Sequence, residues 1–137
     1  MPEARPGLRY GVANAVVTEG LSIQAVAERT GLSTHTLRYY ERIGLVVGVP
    51  RARSGHRRYG DEHVRWIELL KKLHATGMPI RHMLAYARLV RRGDSTAAER
   101  RRILETHRLE IVARMQELGD CLALIDRKIA IYEGLEA

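Results

Sequence analysis

Cysteine is nearly missing from this chain of 137 residues: Cys121 is the only one. A lone thiol excludes an intrachain disulfide and a multi-cysteine zinc site, and it fits a reducing compartment. Phenylalanine is absent and aromatics make up 5% of the residues, so any core must be largely aliphatic. No apolar run approaches the roughly 18 residues that a membrane-spanning helix needs. The opening "MPEARPGLRYGVANAVVTEG" has only a short apolar stretch, Val12 to Val17, and lacks the layout of a signal peptide. These absences together lead us to expect a cytoplasmic protein. Catalytic signatures are missing as well. There is no P-loop, no dinucleotide fingerprint and no nucleophile–base–acid arrangement. The six histidines (35, 56, 63, 74, 82 and 107) show no paired-ligand spacing. The expectation is therefore no enzyme, no metal site and no cofactor.

What the chain does have is positive charge, +7 overall, in an otherwise globular composition with 45% hydrophobic residues. That charge is uneven. From Gly31 to Gly60 six arginines (38, 42, 51, 53, 57 and 58) face one acid, Glu41. From Ala98 to Gly134 seven bases meet seven acids. A local basic patch favours a polyanionic partner, whereas a balanced stretch reads as a solvated helix.

Periodicity and capping residues organise the chain. Residues 1–20, with two prolines and three glycines, are expected to form a flexible tail. In "LSIQAVAERTG" Ser22 suits an N-cap, Leu21 can staple onto Val26, and Gly31 is placed to end the helix. A second helix from about Thr34 to Ile43 is capped by Ser33 or Thr34 and stopped by Gly44. Two short helices around a tight glycine-containing turn make a helix-turn-helix. The apolar Leu45–Val47, the turn formers Pro50 and Ser54–Gly55, and "HRRY" read as a small two-stranded wing. A third helix, about Glu62 to Thr76 with Asp61 as cap, turns Val64, Ile67, Leu70 and Leu73 inward. A fourth, from Pro79 to about Arg91, presents Ile80, Met83, Leu84 and Ala87 on one face. "TAAE", Thr96 to Glu99, matches a capping box at the head of the longest element. Along it Ile111, Met115, Leu118, Leu122, Ile125, Ile129 and Tyr132 alternate steps of four and three, the heptad pattern of a coiled coil. Such a helix, on the order of 55 Å long, outruns four short helices, so its stripe calls for a second copy of the chain. The expected class is mainly α: a winged helix-turn-helix head over 21–92, then a dimerisation helix over 95–134.

The basic patch therefore falls on the helix-turn-helix and wing, the expected footprint on a phosphate backbone. Thr34 and His35 lie near the second helix's N-terminus, where side chains reach base edges. Arg38, one turn on, suits a phosphate or a guanine edge. Tyr39 and Tyr40 can donate hydroxyls to phosphate, although a short helix needs a second anchor beside Leu37 and at least one of the pair is expected in the core. Cys121 falls beside the heptad seam and reads as a small half-buried residue.

The stretches "LSIQAVAERTGLSTHTLRYYERIGLV", "RSGHRRY" and "VRWIELLKKLHATGMPI", together running from Leu21 toward Val90, resemble the MerR family of bacterial transcription regulators. The resemblance implies that the terminal helix forms an antiparallel dimerisation coil. It places Arg38 and the Tyr39–Tyr40 pair where the family's recognition helix meets DNA, and Arg51, His56 and Arg57 at wing positions. His56 stands where the pattern usually has a tyrosine, so a phosphate contact there is expected to be weaker or pH-dependent. It further implies a dimer on a pseudo-palindrome in promoter DNA, bent and untwisted so that RNA polymerase reads both promoter elements. The length suggests a short form without the C-terminal ligand-binding domain of some members, and "IYEGLEA" lacks their metal-binding cysteines. The aldehyde- and thiol-stress subgroup is the most similar, but Lys72 stands where its sensing cysteine falls, which argues against electrophile sensing by that route. Two rival readings remain at this level: an effector-less architectural DNA binder, and a coiled-coil adaptor whose basic head docks on an acidic protein.

Overall fold

The structure is a computed structural model that describes residues 20–137. The expected tail, apart from Gly20, lies outside the described residues. Five α-helices follow in order: α1 (Ile23–Thr30), α2 (Thr34–Arg42), α3 (Asp61–Ala75), α4 (Ile80–Arg91) and α5 (Ala97–Glu136), with a single 3-10 turn, Asp94–Thr96, before α5. Among the described residues there is no strand, only the isolated antiparallel bridges Leu21–Tyr59 and Arg51–Arg57. The helices belong to two compact units, one ending at Arg100 and one running from Arg101 to Ala137.

In the first unit α1 packs on α2 and α3, and α3 packs on α4. Helix α1 begins where Ser22 Oγ accepts the Ala25 N–H at 3.1 Å, and it ends at Gly31, whose φ of +75° is left-handed. Its buried face is Ile23, Val26 and Thr30. Ser33, not Thr34, caps α2, accepting the Thr36 N–H at 3.0 Å. Cations on later helices reach the far ends: Lys71 Nζ donates to the Thr30 carbonyl, the last of α1, and an Arg91 guanidinium N–H to the Gly44 carbonyl, two residues past the end of α2. Carbonyls left open at a helix C-terminus carry partial negative charge, so Lys71 satisfies an acceptor and the α1 dipole at once.

Three expectations need correction here. Leu45–Val47 does not form the wing's first strand. The N–H groups of Leu45 and Val46 both donate to the Tyr40 carbonyl, and the Leu45 carbonyl accepts the Trp66 indole N–H at 2.8 Å. The segment is thus the turn out of α2, and Leu45 and Val46 are buried as core. The hairpin is smaller, closed by Ala52 N–H to His56 O and Arg58 N–H to Pro50 O, each 2.8 Å. Gly60, rather than Asp61, occupies the N-cap of α3. Asp61 lies in the first turn, where its charge favours the helix dipole. The Thr96 hydroxyl donates backward to the Leu89 and Gly93 carbonyls at 2.6 and 2.8 Å, so it ties α4 to the head of α5 instead of closing a capping box with Glu99.

The core rests on α3 and α4. Val64, Ile67, Leu70 and Leu73 are buried as their spacing requires, and Trp66 joins them, stacked on Tyr86 of α4 with ring centroids 5.8 Å apart. On α4 the buried face is Met83, Tyr86, Ala87 and Val90, while Ile80 and Leu84 are half-buried. Tyr86 draws the helix round because an aromatic ring buries more apolar area than an Ile or Leu side chain.

The second unit is the greater part of a single helix. Met115, Leu118, Leu122, Ile125, Ile129 and Tyr132 are 49–66% exposed along it, and Ile111 is half-buried. Among the described residues no helix is long and apolar enough to cross a membrane.

Candidate nucleic-acid interface

Helix α2 is amphipathic by sequence, and the fold uses both faces. Leu37 and Tyr40 point into the core, with 1% and 3% of their surface exposed. His35, Arg38, Tyr39 and Arg42 are exposed, and Thr34 and Thr36 are half-exposed. The adjacent tyrosines thus divide. Tyr40 is an anchor, and burial, then its neighbour Tyr39, pushes its hydroxyl above the ordinary range, so it stays neutral. Tyr39 lies on the surface with the Arg42 guanidinium 5.5 Å from its ring centroid, a cation–π contact that orients both side chains. Arg38 makes no hydrogen bond or ion pair among the described residues, so its charge faces outward.

The hairpin between Pro50 and Arg58 distributes its cations differently. An Arg51 guanidinium N–H donates to the Gly55 carbonyl at 2.9 Å and braces the loop. His56 Nδ1 lies 2.9 Å from Ser54 Oγ, and Arg53 is exposed at the tip. Arg57, expected to present its charge from the wing, turns toward α2: its Nε donates to Glu41 Oε2 at 2.7 Å. The hydroxyl of Tyr59 donates to the other oxygen, Oε1, also at 2.7 Å. Burial first, then this hydrogen bond to Glu41, raises the Tyr59 hydroxyl far above its ordinary value, while Arg57 and Arg38 pull it the other way.

Tyr59 is a pin in other respects. Its N–H and carbonyl pair with the carbonyl and N–H of Leu21, both at 2.8 Å, which ties the hairpin to the start of α1. Its ring meets the edge of His63 at 6.4 Å. His63 Nδ1 accepts the Gly60 N–H at 3.2 Å, and burial holds its imidazole below the ordinary value of 6.5, against the opposing pull of the Gly48 backbone, Glu62, Glu41 and the Val47 backbone.

The sequence reading expected Thr34, His35, Arg38, Tyr39, Tyr40, Arg51, His56 and Arg57 at DNA; of these Tyr40 is buried, Arg57 is paired with Glu41, and the others are exposed or half-exposed. It missed Glu41 as the hub between helix and hairpin. The signal was available, because Glu41 is the sole acid among six arginines. No group of three or more histidines, cysteines or acids among the described residues is placed to hold a metal ion. In the single chain Cys121 is exposed.

Residues 21–88 match the model of the MerR HTH family regulatory protein. An HTH-type transcriptional regulator of uncharacterised role from Haemophilus influenzae is 34% identical over 111 residues, covering 81% of this chain and 82% of that one. The HTH-type transcriptional regulator AdhR from Bacillus subtilis is 39% identical over 92 residues, covering 67% of this chain and 66% of that one. Among solved structures, HiNmlR, a MerR family regulator lacking the sensor domain and bound to promoter DNA, aligns with a TM-score of 0.77 at 33% identity, covering 82% of this chain and 86% of that one. With the capped helix-turn-helix, the arginine-rich hairpin and the long helix already in place, this chain belongs to the MerR family of transcription regulators.

Proposed function

We propose that the protein is a cytoplasmic homodimer that reads a pseudo-palindromic promoter site, with residues 21–92 as the winged reading head and residues 95–134 as an antiparallel dimerisation coil. The observation that carries this reading is the division of α2. Its inner face is fixed by Leu37 and Tyr40, which leaves Thr34, His35, Arg38 and Tyr39 on one cationic surface. In a helix-turn-helix the N-terminal part of the second helix enters the major groove. Thr34 and His35 then reach base edges, Arg38 takes a guanine edge or a phosphate, and Tyr39 with Arg42 contacts the backbone. Arg51, Arg53 and His56 follow the flanking phosphates from the hairpin. HiNmlR, similar in fold, is itself bound to promoter DNA.

The coil reading rests on α5. Six large apolar side chains at heptad spacing are about half or more exposed in the single chain, and burying the exposed part of each stabilises by on the order of 1 kcal/mol. Two heads held on one coil match a symmetric site. By bending and untwisting the DNA between the half-sites, the dimer alters how RNA polymerase meets the promoter elements.

The test is binding of the purified protein to its own upstream DNA and to random duplex, at two salt concentrations. A preference for the upstream fragment is expected, and Arg38→Ala should weaken it by about 1–3 kcal/mol while the protein elutes unchanged in gel filtration. Equal affinity for both duplexes would favour an architectural DNA binder, and no binding at low salt would favour an adaptor for an acidic protein.

A further inference from the structure

The one acid between Gly31 and Gly60 sits within the surface assigned to DNA, where an open carboxylate repels phosphate. In the structure it is not open. Oε2 of Glu41 is taken by Arg57 and Oε1 by Tyr59, each at 2.7 Å, and the side chain is 19% exposed. Glu41 lies three residues after Arg38 on the same helix, a spacing at which opposite charges meet. Arg38 nevertheless makes no ion pair among the described residues. The hairpin's own cation and hydroxyl hold the carboxylate.

We propose that Glu41 is a positioning residue, acting through Arg57 and Tyr59 to lock the hairpin onto α2 and to leave Arg38 free for DNA. The inference rests on the DNA-reading function proposed above and assigns Arg57 a different task from the remaining hairpin cations: it fixes the wing instead of meeting a phosphate. The two bonds differ in kind. Both reach an ionised carboxylate, but only Arg57 brings an opposite charge that neutralises the acid. The Tyr59 hydroxyl aims the carboxylate, and the buried Tyr59 backbone carries that aim to Leu21 and the start of α1. Cutting either bond loosens the hairpin on α2, although the Leu21–Tyr59 backbone pair remains, and returns Glu41 toward Arg38. The consequence is lost discrimination between DNA sequences, not lost charge.

Three variants of the full chain test this: Tyr59→Phe, which removes one hydroxyl and no charge, Glu41→Gln and Arg57→Gln. Two readouts apply to each. The first is the ratio of affinities for the upstream fragment and random duplex, with its salt dependence. The second is the rate of tryptic cleavage after Arg51, Arg53 and Arg58 in the free protein. All three variants should lower the affinity ratio by roughly tenfold and accelerate hairpin cleavage. Glu41→Gln combined with Arg57→Gln should be no worse than either alone, because both break one linkage. If instead Arg57→Gln weakens both duplexes alike and flattens the salt slope while Glu41→Gln strengthens both, Arg57 is an ordinary phosphate contact and the proposal is overturned. Unchanged hairpin cleavage in Tyr59→Phe overturns it independently of DNA. If Glu41→Gln does not fold, Tyr59→Phe decides, since its ring still fills the core. Wild-type protein without sequence preference would refute the DNA-reading function, and the cleavage rates would still judge the linkage.

Discussion

At the scale of single residues, His63 links the base of the hairpin to pH. Its imidazole is held neutral by burial, and its Nδ1 accepts the Gly60 N–H. A proton on Nδ1 would set donor against donor. In the unfolded chain the ring titrates at its ordinary value of 6.5, while in the folded chain it titrates lower. The unfolded state therefore binds more protons in the window between those values, and stability rises with pH there. The contribution is whole above 6.5 and is lost as pH falls through the folded value. The unfolding free energy from urea titration should drop from pH 7.5 to pH 5, by at most about 1.4 kcal/mol per pH unit for one proton. His63→Gln, whose amide oxygen can still accept from Gly60, should flatten that drop; an undiminished drop in the variant would move the cause to another group. The neighbouring tyrosines show what a sequence reveals at this scale. That one of Tyr39 and Tyr40 must be an anchor follows from the need of a nine-residue helix for more than Leu37. Which one depends on the phase of the helix against α1, and only the packed structure fixes that phase. The Glu41–Arg57 pair spans sixteen residues and a hairpin. No local spacing rule reaches across such a gap.

At the scale of elements, the ends of α1 and α2 were easier to read than the face of α4. Ser22, Ser33, Gly31 and Gly44 act within four residues of their own backbone, so local chemistry decided the starts and stops of α1 and α2. The face of α4 depended on a distant ring, Trp66, stacking on Tyr86. The wing's first arm was misplaced because β-branched apolar residues suit a buried turn as well as a strand, and the Tyr40 carbonyl captured it. One substitution made in two elements should give opposite signs. Gly31 holds φ +75° at the end of α1, and an added Cβ would sit 3.1 Å from Lys71 Nζ, the group that caps the Thr30 carbonyl. Gly31→Ala should therefore destabilise by about 1–2 kcal/mol. Gly119 lies inside α5 with nothing within 4 Å of an added Cβ. Gly119→Ala should stabilise by about 0.5–1 kcal/mol. Chemical denaturation of both variants checks the pair, and a loss at Gly119 would mean that another backbone approaches it closely in solution.

At the scale of the whole molecule, charge and apolar surface are divided between the two units, and the division can be tested. Arg38 belongs to the unit ending at Arg100 and Ile125 to the unit that follows. Ile125 sits near the middle of the exposed stripe, 49% accessible in the single chain. A carboxylate there must be desolvated if the stripe is a seam, at a cost of several kcal/mol, whereas on a free helix surface the change would be within about 0.5 kcal/mol. Ile125→Asp should thus yield monomers in gel filtration and leave the helix-turn-helix folded. The DNA consequence follows from counterion release. In the proposed dimer each head would neutralise its own set of phosphates, and the slope of log affinity against log salt is proportional to their number. Wild type should show about twice the slope of the monomeric variant. Arg38→Ala should lower the slope slightly while the dimer persists. A variant that stays dimeric would place the seam elsewhere on α5. A monomer that keeps the full slope would mean that one head makes all the contacts, and the coil would then serve some purpose other than spacing two heads on DNA.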